Sequence, residues 1–304
     1  MKSSDINIFE GSFLSEDFNE VINRWRIEGF DIVVGNPPYQ EMDGGSKASA
    51  KPLYNVFIEK SLKFTDKLIF ITPSRWFGGG KGLDNFRKMM LNRTDIKLIK
   101  DFKNSKKIFE SVNIGGGVSY FLIDKKHNGL CEFINDRNES KLYSLNKYDR
   151  IIRDFSYHDL IDKIISRNYI FIDSIIQARG YYNISTNDKN LKDYKDNNSI
   201  KCFVSSQKGN IKWINREKIT KEIQHKVLTP RAFGNPKDGF GRFIYSDDKS
   251  VCSDTYLFFK VKNEEQANNL ITYLKSNLVH FLVVMRKIDS AIKPDTCKWI
   301  PLLN

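Results

Sequence analysis

The sequence has no long apolar segment. Its longest apolar runs, such as residues 281–285, are far shorter than the roughly 20 residues that a membrane-spanning helix needs. The first residues, 1–5, begin a polar segment without the apolar core of a signal peptide. We therefore expect a cytoplasmic protein with no membrane partner.

Cysteine is scarce as well. The four cysteines, Cys131, Cys202, Cys252 and Cys297, lie far apart, and no two have the spacing of a zinc site or a redox pair. We therefore expect no bound metal and interpret the thiols as small core residues in a reducing compartment.

Two further catalytic signatures are missing. The loop Gly78-Gly79-Gly80-Lys81-Gly82 lacks the Gly-Lys-Ser/Thr ending of nucleoside-triphosphate loops, which argues against an NTPase. We find no Pro-Asp…Glu-x-Lys pattern of a nuclease, so any DNA cleavage would have to reside elsewhere. Lys81 remains a candidate for contact with a nucleic acid backbone.

Positive charge is present but unevenly distributed. The chain carries a net charge of +12, and residues 201–304 hold 18 basic against 10 acidic side chains, whereas residues 1–150 hold 24 against 20. This asymmetry predicts a polyanion-binding module joined to a nearly neutral one. The candidate DNA-contacting residues of the basic module, which are interspersed with Trp213 and glycines, are Lys208, Lys212, Arg216, Lys218, Lys221, Lys226 and Arg231.

The order of apolar segments predicts two domains. In residues 1–150, strands alternate with helices, which indicates a doubly wound α/β sheet. The predicted strands are 5–9, 30–34 (buried on both faces), 67–72, 96–102 and 118–124 (an antiparallel edge), and the predicted helices are 15–26, 53–64 and 83–91. Residues 151–304 predict a second, smaller α+β domain, with a helix at 157–168, short strands at 201–205, 211–214, 226–228, 242–245 and 256–260, and a long helix at 264–287.

The most informative motif is Asn36-Pro37-Pro38-Tyr39, directly after the apolar run at 30–34. Ligands bind beyond the carboxyl ends of strands in open α/β sheets. The motif offers hydrogen-bond acceptors and an aromatic ring, which suit a flat base that bears an exocyclic amine. Pro37 and Pro38 fix the backbone and lack N–H groups, so the turn cannot satisfy its own carbonyls.

This motif resembles that of the adenine-N6 DNA methyltransferases of bacterial restriction–modification systems. The similarity extends through Gly35 to Gln40, residues 69–74 and 115–123, and in the last third through 253–257, 273–276 and 299–301. The resemblance implies a partial Rossmann-like methyltransferase sheet in residues 1–150. It also implies a C-terminal target-recognition domain in residues 151–304.

The resemblance further implies a mechanism on double-stranded DNA. The target adenine is flipped into a pocket, where its amine donates to the side-chain oxygen of Asn36 and the carbonyl of Pro37. Tyr39 stacks on the purine, and Phe109 is our candidate for the opposite face, although a core role explains Phe109 comparably well. The methyl donor implied is S-adenosylmethionine.

Parts of that family pattern are missing. We find no Gly-rich S-adenosylmethionine loop ahead of Asn36, and Ser12 stands where the family usually has an aspartate, with Phe13 as a candidate to stack on the cofactor adenine. We therefore expect little cofactor binding by this chain alone. It would be either a truncated gene product or a subunit that needs a polypeptide supplying the N-terminal half.

Other functions stay open at this stage. The chain could be a DNA-binding specificity module that has no catalytic activity. The same tetrapeptide also serves RNA and protein-glutamine methyltransferases, although the basic last third favours DNA.

Overall fold

The computed structural model describes residues 7–41, 51–205, 209–235, 237–288 and 290–303. The chain divides into two compact units, Met1–Ser156 and Tyr157–Asn304, here called unit 1 and unit 2. The division lies a few residues beyond residue 150, the predicted boundary. None of the described helices is long and apolar enough to cross a bilayer.

Unit 1 is built on one mixed sheet. Its six strands run in the order β1-β2-β4-β3-β5-β6, with β1 parallel to β2 and β4 antiparallel to both neighbours. The elements are α1 (Asp17–Arg24), β1 (Val33–Gly35), α2 (Tyr54–Ser61), β2 (Lys67–Pro73), α3 (Asp84–Leu91), β3 (Ile96–Phe102), β4 (Val118–Asp124), β5 (Cys131–Ile134) and β6 (Ser140–Tyr143).

Strand β4 is central, which corrects the prediction that residues 118–124 form an edge. It hydrogen-bonds to β2 on one side and β3 on the other. The sheet then continues through β5 and β6, which the sequence did not predict because both are four residues long and carry polar residues. A central strand fits its composition, since Val118, Phe121 and Ile123 are fully buried.

Strand β1 is not buried on both faces, contrary to the prediction for residues 30–34. It lies at the end of the sheet, and among the described residues it pairs with β2 only. Val34 is 67% exposed and Ile32 is 45% exposed. The apolar composition therefore belongs to a strand whose outer edge is uncovered in the described part of the chain. Residues 7–9 of the other predicted N-terminal strand form no strand.

Unit 2 combines two small sheets with helices. One sheet has the order β11-β10-β13-β7, and the other has the order β12-β8-β9. Its elements are α4 (His158–Ser166), β7 (Ile176–Gln177), β8 (Ser199–Phe203), β9 (Ile211–Asn215), β10 (Lys226–Pro230), β11 (Ile244–Ser246), β12 (Ser250–Cys252), β13 (Tyr256–Lys260), α5 (Glu264–Leu274) and α6 (Asn277–Arg286). An α/β unit followed by an α+β unit confirms the predicted fold class.

The predicted long helix at 264–287 is two helices. The first ends at Leu274, and Ser276 caps the second, because its hydroxyl oxygen accepts a hydrogen bond from the backbone N–H of Val279 at 3.3 Å. The apolar spacing continues across the break, so periodicity alone could not reveal it.

Lys226 is fully buried at the start of β10, which contradicts its predicted role in contacting DNA. Its ammonium donates to the carbonyl oxygens of Gln224 (2.8 Å), Asp247 (3.1 Å) and Ser250 (2.6 Å). Burial lowers the pKa of Lys226 to about 8 from an ordinary value of 10.5. The residue therefore organises the interior of unit 2.

The buried ammonium predicts a pH dependence of stability. Because the folded pKa of Lys226 is lower than the unfolded one, the unfolded chain holds more protons between pH 8 and 10.5, and stability should rise with pH in this window. The gain is about 3 kcal/mol at most. Buried thiols such as Cys202 have raised pKa values and act in the opposite direction. Urea unfolding of the wild type should therefore be compared with Lys226→Met at pH 7.5 and 10. A constant difference in unfolding free energy would contradict this assignment.

Candidate active site

A cavity of about 690 Å³ opens at the carboxyl ends of β1 and β2. Its volume lies within the roughly 300–1,000 Å³ of typical small-molecule sites. Three segments of unit 1 line it. The first is residues 36–40 after β1, together with Pro52 and Tyr54. The second is Pro73 at the end of β2 with Arg75 and Lys81 beyond it, and the third is residues 112–115 before β4. The predicted motif residues Asn36, Pro37, Pro38 and Tyr39 thus all line one cavity.

The motif is held in place by pairing with the chain that leads into α2. The carbonyl oxygen of Tyr39 accepts from the N–H of Leu53 at 3.1 Å, and the N–H of Glu41 donates to the carbonyl of Lys51 at 2.9 Å. Pro37 is buried, whereas Asn36 is exposed. The motif backbone is therefore anchored at its far end, while the Asn36 amide remains accessible to a ligand.

Tyr39 offers a neutral aromatic surface. Its ring is half-buried, and its hydroxyl oxygen is buried without a hydrogen bond to any described residue. Burial raises the pKa of Tyr39 to about 12. The side chain therefore stays an uncharged phenol at physiological pH, which suits stacking on a flat base. Such stacking contributes roughly 1–3 kcal/mol per base.

The described lining of the cavity carries positive charge. Arg75 and Lys81 line it, and among the described lining residues there is no aspartate or glutamate. Tyr54 is 2% exposed, and burial raises its pKa while the charge of Arg75 lowers it in part. The positive charge of Arg75 therefore acts on the Tyr54 hydroxyl.

A buried ion pair braces two walls of the cavity. Asp101, at the end of β3, is fully buried and accepts two hydrogen bonds of 2.6 Å from Arg153 and one of 2.9 Å from the Ser74 hydroxyl. Arg153 also donates to the carbonyl of Gly116 at 2.8 Å. Neither Asp101 nor Arg153 was predicted from the sequence as a site residue. The available signal was a carboxylate in an otherwise largely apolar strand.

Glycine is required where the third wall joins the sheet. Gly117 has φ +82°, and a Cβ there would overlap the carbonyl oxygen of Phe102. Its own carbonyl accepts from the N–H of Ser74 at 3.0 Å. This close approach puts Val112 to Gly115 at the cavity.

Phe109 does not line the cavity, contrary to its predicted place against the base. It is half-buried, and its N–H donates to the carbonyl of Ser105 at 2.8 Å. The apolar side chains that this loop contributes to the wall are Val112 and Ile114. Ile114 thus becomes the better candidate for an apolar contact with a bound base.

Ser12 and Phe13 do not form a recognisable cofactor cradle. The Ser12 hydroxyl accepts from the N–H of Leu14 at 3.3 Å in a local turn. The Phe13 ring stacks on Phe57 with centroids 5.4 Å apart and meets Phe18 edge-on at 4.7 Å. Neither residue lines the cavity. These contacts do not fit a dedicated S-adenosylmethionine site, and we derive no chemical step through it.

The basic residues predicted to face DNA have different environments in unit 2. Arg216, Lys218 and Lys221 are exposed, Lys212 and Arg231 are half-buried, and Lys208 lies outside the described residues. Lys212 pairs with Asp193 at 3.1 Å.

In the described part of the chain, no three metal-ligating side chains come together.

Comparison with solved structures finds restriction–modification enzymes. The nuclease-deletion mutant of the Type ISP enzyme LlaGI, in complex with a DNA substrate mimic, matches with TM-score 0.47 and 10% identity over 96% of this chain and 35% of its own. The Type IIL enzyme MmeI, in complex with DNA, matches with TM-score 0.43 and 10% identity over 92% and 47%.

Sequence comparison is more specific. An uncharacterized adenine-specific methylase of Mycoplasma pneumoniae is 35% identical over 104 residues, or 33% of this chain and 25% of the relative. The chain thus spans about a quarter of that relative's length. Residues 2–109, which include the Asn36 motif and β2, match the Eco57I restriction-modification methylase family. This match covers about a third of the chain.

Proposed function

We propose that this chain contributes the base pocket and the target-recognition unit of a DNA adenine-N6 methyltransferase of a restriction–modification system. The observation that carries the proposal is the cavity at the end of β1, lined by Asn36, Pro37, Pro38 and Tyr39. The family match of residues 2–109 supports methylation, and the adenine-specific relative supports the choice of base.

In this proposal, the adenine amine is held by two acceptors. The Asn36 side-chain oxygen and the Pro37 carbonyl accept its two hydrogens, which turns the nitrogen lone pair away from the ring and towards the methyl group to be transferred. Tyr39 lies against one face of the purine.

S-adenosylmethionine, when bound, supplies the methyl group. Since Ser12 and Phe13 offer no defined cradle for it, we propose that other parts of the enzyme hold the cofactor. The outer edge of β1 supports this view, because no described strand pairs with it, Val34 and Ile32 are exposed, and an unpaired apolar edge favours pairing with a further strand. That strand belongs either to another segment of the same polypeptide or to a separate subunit.

We also propose that unit 2 contacts double-stranded DNA through its exposed basic residues. Replacing Arg216, Lys218 and Lys221 together by glutamine should weaken duplex binding. It should also lower the slope of log affinity against log salt by about 0.9 for each DNA phosphate that the variant no longer neutralises. Fluorescence anisotropy with a mixed-sequence duplex at several salt concentrations measures both effects.

The matched control removes the same charge from another part of unit 2. Lys189, Lys262 and Lys275 are exposed as well, and their triple glutamine variant should keep the wild-type salt slope. Equal weakening in both variants would reject the placement of the DNA surface at residues 216–221.

A rival function is DNA recognition without catalysis, which the exposed basic residues alone would also support. The two functions differ in one product. The chain, with and without candidate partner polypeptides, should be incubated with unmethylated DNA and S-adenosylmethionine, and the nucleosides analysed by mass spectrometry. N6-methyladenine supports the methyltransferase. Duplex binding without N6-methyladenine in any combination would favour the recognition module.

A further inference from the structure

We propose that Arg75 and Lys81 form a phosphate subsite inside the base cavity, so that the cavity binds an extruded nucleotide rather than the base alone. The inference rests on the proposed function and extends it to a second part of the substrate. The ligand is the phosphodiester group attached to the target deoxyadenosine.

The charge of the cavity favours an anionic ligand. Arg75 and Lys81 are its charged lining residues among those described, and both are basic. An adenine ring is neutral and gains little from two cations. A phosphate next to the base is the anion that this cavity would meet. Hydrogen bonds between charged groups of this kind are roughly twice as strong as neutral ones.

The backbone conformation of Lys81 also points to a role for its side chain. Gly79, Gly80 and Gly82 have φ near +80°, and Lys81 between them has φ +51°. This left-handed conformation costs a residue with a side chain roughly 1–2 kcal/mol, a cost that glycine avoids. Strain of this kind concentrates at functional sites. Lys81 therefore keeps a side chain where the backbone alone would favour a fourth glycine.

Arg75 and Lys81 lie on one loop whose backbone is held by hydrogen bonds. The carbonyl of Arg75 accepts from the N–H groups of Gly78 and Gly79, each at 3.2 Å. The carbonyl of Gly78 accepts from the buried Arg87 of α3, and the N–H of Gly80 donates to Asp84 at 3.3 Å. Contacts on both sides therefore hold the loop that connects Arg75 to Lys81. Because this backbone is already ordered, only the two side chains lose freedom when they bind an anion.

The test compares ligands that differ by one phosphate. Deoxyadenosine, its 3′-monophosphate and its 5′-monophosphate are titrated into the isotope-labelled full chain and followed by NMR. One of the monophosphates should bind at least about tenfold more tightly than deoxyadenosine. In the double variant Arg75→Gln/Lys81→Gln, the ratio of the two affinities should fall to about one. Lys88→Gln, which removes an exposed charge of α3, should keep the wild-type ratio.

Lys81→Gly separates a binding role from a structural one. Relief of the left-handed strain should raise the thermal midpoint of unfolding by about 1–3 °C, while the preference for the monophosphate falls. A lysine that merely stabilised the loop would lower the midpoint when removed, and that result would overturn the proposal.

Failure of this inference differs from failure of the proposed function. If deoxyadenosine binds at the cavity and phosphate adds no affinity, the phosphate subsite is wrong and the base pocket stands. If the monophosphates bind but Lys88→Gln lowers the ratio as much as the double variant, the phosphate preference is diffuse and the subsite is wrong. If neither deoxyadenosine nor its phosphates perturb residues 36–40, both proposals are rejected.

Discussion

Replacing Asn36 by alanine should lower methyl transfer by about 10²–10³-fold in a preparation that methylates DNA. The physical reason is that the Asn36 oxygen is one of two acceptors for the adenine amine, and loss of one well-placed polar group at a reacting centre has an effect of this size. Because the side chain is exposed at the cavity and contributes nothing to the core, duplex affinity should stay within about twofold of the wild type.

The control is Asn128→Ala, an exposed asparagine in a loop of the same unit that does not line the cavity. Initial rates of N6-methyladenine formation and anisotropy binding curves should be measured on the same samples. Asn36→Ala with methylation within tenfold of the wild type would mean that the amine is activated by other groups.

Replacing Asp101 by alanine should lower the free energy of unfolding of unit 1 by about 3 kcal/mol, because it leaves the partly exposed Arg153 guanidinium and the Ser74 hydroxyl without their acceptor. Asp101 is 0% exposed and accepts from both Arg153 and Ser74. Arg153 and Ser74 lead to the two loops that line the cavity, so ligand-induced NMR shifts at residues 112–115 should also disappear.

Two further variants make this result specific. Asp101→Asn keeps the shape of the side chain and one acceptor oxygen. Its free energy of unfolding should therefore lie between that of the wild type and that of Asp101→Ala. Arg137→Ala removes an exposed partner of Asp154 and should change stability little, because surface ion pairs are screened by water. Equal losses for Asp101→Ala and Arg137→Ala in urea unfolding would show that the buried pair does not brace the unit.

Strands were predicted most accurately from the sequence where the residues of the segment themselves favour a strand. The predicted bounds of β3, β4 and β13 equal those in the structure, and β2 differs by one residue. These segments are dense in β-branched and aromatic residues and are bounded by turn residues, so local preference and burial agree.

Properties that depend on distant parts of the chain were not predictable. The apolar composition of residues 30–34 indicated burial, but exposure depends on which strand lies beside β1. Likewise, the position of β4 between β2 and β3 is a matter of topology, which the composition of residues 118–124 does not contain.

The candidate site was predictable in part for the same reason. Asn36 to Tyr39 are contiguous in the sequence, so their position together at one cavity could be predicted from the motif alone. Arg75, Lys81 and Ile114 join the motif only through the sheet, and Asp101 meets Arg153 from 52 residues away. Lys226 shows the opposite error, since a lysine within a basic stretch gives no sign in the sequence that three carbonyls bury its ammonium.

The central question is whether the cavity at the end of β1 holds an adenine ring against Tyr39. Intermolecular NOEs between the H2 and H8 protons of deoxyadenosine and selectively labelled tyrosine rings of the full chain answer it. We predict NOEs to the Tyr39 ring that disappear in Tyr39→Leu. Saturable deoxyadenosine binding with NOEs only to tyrosines of unit 2, such as Tyr194, would contradict this account.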